Sequence, residues 1–367
     1  MTPHRIVVKL GTSTLTGGTL HLNRQRMLEI VQQVARLHQQ GYEMLVVSSG
    51  AQAAGRERLG FPDLGRAMPA KQMLAAVGQG RLVQIYADLF DIFNIVVGQV
   101  LLTRDDLSNR TRYLNARDTL LTLMERRIVP IINENDTVAT EEIRVGDNDN
   151  LSALVASVIE ADLLVLLTDM PGLFTGDPRR DSSAQLIRSV SKIDDSIYAL
   201  AGGIGTKLGT GGMITKIEAA HVASRSGVTT VIASGTEPDV LARIVAGGEV
   251  GTRFDPTNTH LESRKRWLLT DKAQGIVRVD NGAARAIALN NASLLPVGMT
   301  SVEGDFARGA TLAVRDPDSS EIARGLSNYS GDELRKLCRV KSAQIGEILG
   351  YSYGDHVIHR NSMVLLG

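Results

Sequence analysis

The sequence predicts an open, mostly parallel α/β sheet sandwiched by helices, followed by a second, small β-rich domain. Three observations predict it. Six short runs are nearly continuous in apolar and β-branched residues, as strands buried on both faces are. Longer stretches with helical spacing separate them. From residue 273 onward the pattern changes to short strands and turns. With 367 residues, 43% hydrophobic and 22% charged, the chain can bury two cores.

The elements follow in order. RIVVKL is the first strand and ends in Gly11-Thr12-Ser13. A helical pattern, NRQRMLEIVQQVARLHQQG, leads to EMLVVSS and the turn Ser49-Gly50-Ala51. MPAKQMLAAVGQGRLVQIYADLF is the next helix, before NIVVGQVLL and Thr103-Arg104-Asp105. RIVPIIN runs into Asn133-Glu134-Asn135-Asp136, DLLVLLTD ends on Thr168-Asp169, and VTTVIAS gives way to Ser234-Gly235. Ligands of open α/β sheets bind outside the carboxyl ends of the strands, so these six loops are expected to crowd one crevice. Gly, Ser, Asn and Asp fill ordinary turns as well, and only six such loops on one edge favour a site. GTRFDPTNTHLESRKRW is polar and irregular, and after it GIVRVDNGAARAI, GMTSVEGDFARGATLAVRD and EIARGLSNYS read as short strands and turns without long helices. The expected division is a first domain over 1–255, a linker over 256–272, a β-rich domain over 273–355 and a tail over 356–367.

Lys+Arg at 40 balances Asp+Glu at 40, so no overall field draws the chain to nucleic acid or an anionic membrane. The single cysteine, Cys338, excludes an internal disulfide and a cysteine-rich zinc site, and fits a reducing cytosol. The N-terminus enters a strand pattern at once and no apolar run is long enough to span a bilayer, so a cytoplasmic protein without membrane contact is expected.

Chemistry concentrates at the strand ends. Lys9 closes the first strand, where its ammonium can reach water or an anion instead of a costly apolar interior. No GxxxxGK[ST] loop is present, yet a phosphate site fits. LGTGGMITK, residues 208–216, can turn backbone N–H groups of Gly211 and Gly212 toward an anion, with Thr210 and Thr215 adding hydroxyls and Lys216 opening the next helix. Such a glycine cluster can equally be a flexible loop. Two lysines distant in sequence and aimed at one phosphate chain form a phosphoryl-transfer arrangement. Thr168 and Asp169, with the Pro-Gly turn after them, could wall a nucleotide or merely form a tight loop. Asn133, Asn135 and Asp136 suit an ammonium or an amino-acid backbone, and equally suit a turn. No Ser-His-Asp elbow, histidine ligand cluster or GxGxxG fingerprint appears.

VGDNDN, residues 145–150, sets two aspartates beside two asparagines before the apolar helical stretch LSALVASVIEA. An EF-hand is excluded, because counting from Asp147 the sixth position is Ser152 and the twelfth Val158. A helix start remains, with Asp149 or Asn150 as N-cap and an acid at the positive end of the helix dipole.

VVKLGTS, SSGA, INEND, VGDNDNLSALVA, LLTD with PGL, and GTGGM with a following TK together resemble the glutamate 5-kinase branch of the amino-acid kinase family, and the tail is similar to a PUA domain. The match runs along nearly the whole chain. The resemblance implies the amino-acid kinase fold and transfer of the ATP γ-phosphoryl group to the side-chain carboxylate of L-glutamate, with Mg²⁺ escorting the nucleotide, as the first step of proline synthesis. Carried over by motif, Lys9, Lys216 and Asp149 are the catalytic residues, Asp149 orienting the two lysines. Lys9, Thr168, Asp169 and the stretch Thr210, Gly211, Gly212, Met213, Ile214, Thr215 and Lys216 contact ATP. Ser49, Asp136 and Asn148 hold glutamate, and no protein metal ligand is implied. Proline is implied as an inhibitor competing around the glutamate site, with Asn133 to Asp136 and TRDDLSNRTRYLNAR as the segments to watch. A homo-oligomer, dimer or tetramer, and a functional contact with glutamyl phosphate reductase are implied too. RNA binding by the tail ranks below an interaction role, since its acids and bases balance and no basic aromatic strip is visible. Gln52 and Ile214 depart from the family pattern beside the site, without replacing a contact.

Overall fold

The structure, a computed structural model, describes residues 4–64, 67–139, 148–202, 212–290 and 292–366. Contacts divide the chain into two compact units, Met1–Leu107 with Ala116–His260, and Ser108–Asn115 with Leu261–Gly367.

The first unit is built on an eight-stranded sheet of order β3-β4-β2-β1-β5-β7-β8-β6. All six expected strands are present: β1 (Arg5–Leu10), β2 (Glu43–Ser48), β3 (Val97–Leu102), β4 (Val129–Glu134), β5 (Leu163–Thr168) and β7 (Thr229–Ser234). They run parallel, so their carboxyl ends share one edge. β6 (Ser189–Val190) and β8 (Thr252–Phe254) complete the sheet, and β8 pairs with β7 antiparallel. Strand order reverses at β1, which lies between β2 and β5, and Lys9 is its penultimate residue. That is the switch point at which open sheets offer a crevice.

Described helices of this chain segment are α1 (Thr12–Thr16), α2 (Arg24–Gln39), α3 (Ala51–Arg58), α4 (Met68–Asp91), α5 (Arg104–Ser108), α6 (Arg110–Glu125), α7 (Asn148–Val158), α8 (Asp195–Leu200), α9 (Met213–Arg225) and α10 (Val240–Val245). α2 starts where Asn23 accepts a hydrogen bond from the Arg26 N–H, an N-cap that satisfies one orphan donor. Its buried face, Met27, Ile30, Val31 and Val34, joins the β1 and β2 side chains in one core.

α3 and α4 cross at two glycines. A Cβ on Gly78 would stand 1.8 Å from the Ala51 carbonyl oxygen, and one on Gly55 2.0 Å from that of Leu74. Alanine ordinarily gains about 1 kcal/mol over glycine inside a helix, but here two backbones would have to part. Gly78→Ala is therefore expected to destabilise by about 3 kcal/mol, as overpacking does. Denaturant unfolding reads this directly, and a variant as stable as the parent would mean that the crossing relaxes freely.

The second unit has a five-stranded sheet of order β10-β9-β11-β12-β13, from β9 (Gly275–Val279), β10 (Met299–Glu303), β11 (Thr311–Arg315), β12 (Glu321–Leu326) and β13 (Met363–Leu365). The expected strand-and-turn character of GIVRVDNGAARAI needs correction, because after β9 the residues Asn281–Asn290 form a helix. The Asp280 carboxylate accepts from the Ala283 N–H and caps it, and alanines favour its interior. Residues 108–115 group with this unit through Arg110, whose guanidinium meets Asp271 at 2.5 Å and Thr311 at 2.8 Å, and through Leu114, which packs with Leu268, Leu326 and Val364.

Candidate active site

Three charged side chains meet in the interior of the first unit. Lys9 Nζ lies 2.6 Å from Asp149 Oδ1 and Lys216 Nζ 3.1 Å from Asp149 Oδ2. The Thr215 hydroxyl donates to Asp149 Oδ2 at 2.7 Å. β1 supplies Lys9, α7 supplies Asp149 in its first turn, and α9 supplies Thr215 and Lys216; α7 and α9 pack side by side. The Asp149 side chain is 2% exposed and the two lysine side chains 6% and 7%. Burial by itself would raise the Asp149 pKa, but the two ammonium groups and the hydrogen bonds from Lys9 and Thr215 outweigh it and hold the carboxyl at about 2. Among the described residues these three side chains sum to one positive charge, held in a buried place where an anion is favoured.

Asp149 is thus not the N-cap that the local sequence suggests. The helix is already under way at Asn148, and the carboxylate turns to the lysines instead of to its own backbone. Its place near the positive helix end still favours the ionised form.

Beside this cluster in sequence, Asn148 lines a cavity of about 320 Å³. The walls come from the carboxyl ends of three strands and the chain just beyond them: Thr12 and Thr16 in α1 after β1, Ser49 and Gly50 with Gln52 and Arg56 of α3 after β2, and Asn133 and Glu134 at the end of β4 with Asp136 just past it. Gly50, at φ 103°, occupies the left-handed region and turns the chain from β2 into α3. Asn148 Nδ2 donates to Asn133 Oδ1 at 2.8 Å, to Ser49 Oγ at 3.0 Å and to the Ser48 carbonyl at 3.4 Å. Burial lifts the Asp136 carboxyl above its usual range, while a hydrogen bond from Gln52 works against the shift.

Lys9, Asp149 and Lys216 therefore come together, and Ser49, Asp136 and Asn148 line one cavity. Thr168 closes β5 and donates to the exposed Asp169 at 3.0 Å, away from the cavity walls. Gly212 precedes α9, and among the described residues no side chain caps that end, so Met213 and Ile214 open a helix whose first-turn N–H groups have no intrahelical acceptor. Thr210, Gly211 and Asp147 lie outside the described residues. Of residues 103–117 none lines the cavity. Gln52 does more than neighbour the site, since it bonds Asp136. Sequence reasoning missed Arg56, Thr16 and Gln79; Gln79 accepts from Asn133 Nδ2 at 2.7 Å from within α4, where nothing local distinguishes it from a surface glutamine.

The model of the amino acid kinase family matches residues 4–234, and that of the PUA domain residues 275–349. The glutamate 5-kinase of Herpetosiphon aurantiacus is 54% identical over 361 residues, covering 98% of each chain. That of Sodalis glossinidius is 53% identical and that of Serratia marcescens 52% identical over 360 residues, again with 98% of both chains covered. Matched by the family model over more than half its length and by these relatives from end to end, the chain belongs to the amino acid kinase family.

Proposed function

We propose that the chain transfers the γ-phosphoryl group of ATP to the side-chain carboxylate of L-glutamate, forming L-glutamyl 5-phosphate and ADP. The observation that carries this is the buried Lys9–Asp149–Lys216 cluster, next in sequence to a cavity wall of Ser49, Asp136 and Asn148. End-to-end relatives named glutamate 5-kinase support the same assignment.

The chemistry asks for little proton transfer. A glutamate carboxyl has an unperturbed pKa of about 4.3, so the nucleophile is ionised at neutral pH without a general base. Charge repulsion is the obstacle. Two negative charges about 4 Å apart oppose each other by roughly 4 kcal/mol at an effective dielectric of 20. Lys9 and Lys216 offset that repulsion and follow the charge onto the departing ADP oxygen. The N-terminus of α9, from Gly212 to Lys216, together with Thr210 and Gly211, cradles the phosphates, and Thr168 and Asp169 wall the nucleotide.

Mg²⁺ fits this site as a passenger of the nucleotide. No group of three or more His, Cys, Asp or Glu side chains that could hold a metal forms among the described residues, and each Asp149 oxygen already meets a lysine. Bound to the phosphates, the ion would spread their charge, as Mg²⁺ that keeps most of its waters does. Glutamate occupies the cavity, its ammonium near Asp136. Proline, an amino acid with the same backbone charges, competes there. Residues 1–255 form the catalytic domain in this scheme and 273–355 the PUA domain. The product is a labile mixed anhydride, which gives a chemical reason for a homo-oligomer to work beside glutamyl phosphate reductase.

The test is an assay with ATP, Mg²⁺ and L-glutamate, trapping the acyl phosphate with hydroxylamine. Glutamate-dependent ADP and hydroxamate are expected, with much less from aspartate or acetylglutamate. Absence of both glutamate-dependent products removes the assignment.

A further inference from the structure

Three side-chain amides run in series beneath the cavity. Asn148 Nδ2 donates to Asn133 Oδ1 at 2.8 Å, and Asn133 Nδ2 donates to Gln79 Oε1 at 2.7 Å. The series has a direction, because every link is nitrogen to oxygen. Reversing it would require all three amides to turn over together, and the backbone forbids that at two points. The Glu134 N–H donates to Asn133 Oδ1 at 2.9 Å, so an amide nitrogen there would face a donor. The Ser48 carbonyl lies 3.4 Å from Asn148 Nδ2, so an amide oxygen there would face an acceptor. Ser49 Oγ, at 3.0 Å from the same nitrogen, accepts as well and keeps its own proton for another partner.

With its nitrogen committed, Asn148 has one polar atom left. Its Oδ1 is buried and has no hydrogen-bond partner, as is Gln79 Nε2 at the far end. Asn148 is 3% exposed and lines the cavity. A buried acceptor without a donor is a standing penalty that a ligand N–H removes and a ligand carboxylate aggravates. Asp136, on the same cavity, supplies the opposite charge for a cation.

We propose that Gln79 is a positioning residue: it anchors a one-way amide relay whose open end, Asn148 Oδ1, accepts a hydrogen bond from the α-ammonium of the substrate. The proposal rests on the assignment of the cavity to an α-amino acid and adds how the amino group is told from hydrogen or a carboxylate. Gln79 itself touches no substrate. Its Oε1 holds the Asn133 amide at one edge, and Asn133 in turn holds Asn148. Without that anchor Asn133 Nδ2 is a buried donor with no acceptor; the Glu134 N–H and the Ser48 carbonyl still forbid a flip, so the two amides shift instead of turning over, and the aim of Asn148 Oδ1 is lost.

Gln79→Met keeps the length and helix preference of the side chain and removes the anchor. The expected result is a rise of about tenfold in KM for L-glutamate, the effect of one neutral hydrogen bond, with KM for ATP unchanged. Glutarate, which has both carboxylates and no amino group, separates positioning from damage. Its inhibition constant against the wild-type enzyme is expected to persist in Gln79→Met, because no ammonium is involved. Gln79→Glu retains an oxygen for Asn133 Nδ2 and is expected to keep the wild-type ratio of glutamate KM to glutarate inhibition constant. An unchanged glutamate KM in Gln79→Met, an equal weakening of glutarate, or a collapsed ratio in Gln79→Glu each overturns the proposal. Lack of glutamate phosphorylation by the wild-type protein would instead overturn the function on which it rests, so the two failures are distinct.

Discussion

Asp149→Asn is expected to lower kcat by about a thousandfold per folded molecule, the scale on which removing a preorganised charge acts. The carboxylate now takes one ammonium on each oxygen, at 2.6 and 3.1 Å. An amide presents a nitrogen to one of those ammoniums and no charge to either. Both lysines then lose the contact that fixes them, and a misplacement of a fraction of an ångström suffices to spoil the transition state. Stability falls as well, by about 3 kcal/mol, because a buried charge is left without its partner. The catalytic loss must exceed what partial unfolding explains. ATP supplies the readout: its phosphates can stand in for the missing carboxylate, so the nucleotide should raise the Tm of the variant by more than that of the parent. Equal shifts in both would reduce Asp149 to a structural role.

The same carboxyl fixes a pH window. Its pKa is about 2 against an ordinary 3.8, a depressed value, so the stability it contributes is complete above about pH 4 and disappears only as pH falls through about 2. Loss of activity between pH 7 and 5 therefore has to come from another group. Asp136, whose pKa burial raises, gains its proton at a higher pH than Asp149 does.

How far the sequence foretells this site depends on where each partner lies. The six parallel strands were legible because strands buried on both faces carry no polar alternation to confuse them. β6 and β8, two and three residues long, hold too few side chains for any period to show. The helix after Asp280 was hidden by its neighbours, since a short alanine-rich segment beside two strands reads as a turn until its cap is seen. Lys9 and Lys216 were legible as strand-end and helix-start lysines. Asp149 looked like a cap because the residues that claim it lie 66 and 67 positions away at Thr215 and Lys216. Gln79 was illegible for the same reason, its partner Asn133 being 54 residues distant. Nor could sequence foresee that residues 108–115 side with the second unit, because Asp271 and Thr311 stand far along the chain.

Lys9→Ala and Lys216→Ala are each expected to lower kcat by between about a hundredfold and a thousandfold, with a lesser effect on KM for glutamate. Both ammoniums act where charge moves from the γ-phosphoryl group to the departing oxygen, so their interaction grows in the transition state. A change confined to KM would mean that they bind ground state and transition state alike. The stability effects should follow the charge count. Removing either lysine leaves Asp149 its other lysine and the Thr215 hydroxyl, whereas removing the Asp149 charge takes from both ammoniums the carboxylate they share. Each lysine variant should therefore unfold less readily than Asp149→Asn, although it deletes more atoms. In the double variant the losses in kcat should multiply to less than their product. Once one lysine is absent, Asp149 draws the other toward itself and away from the phosphate, so part of the second loss has already occurred. Full multiplication would show that the lysines act on separate charges and that Asp149 does not couple them.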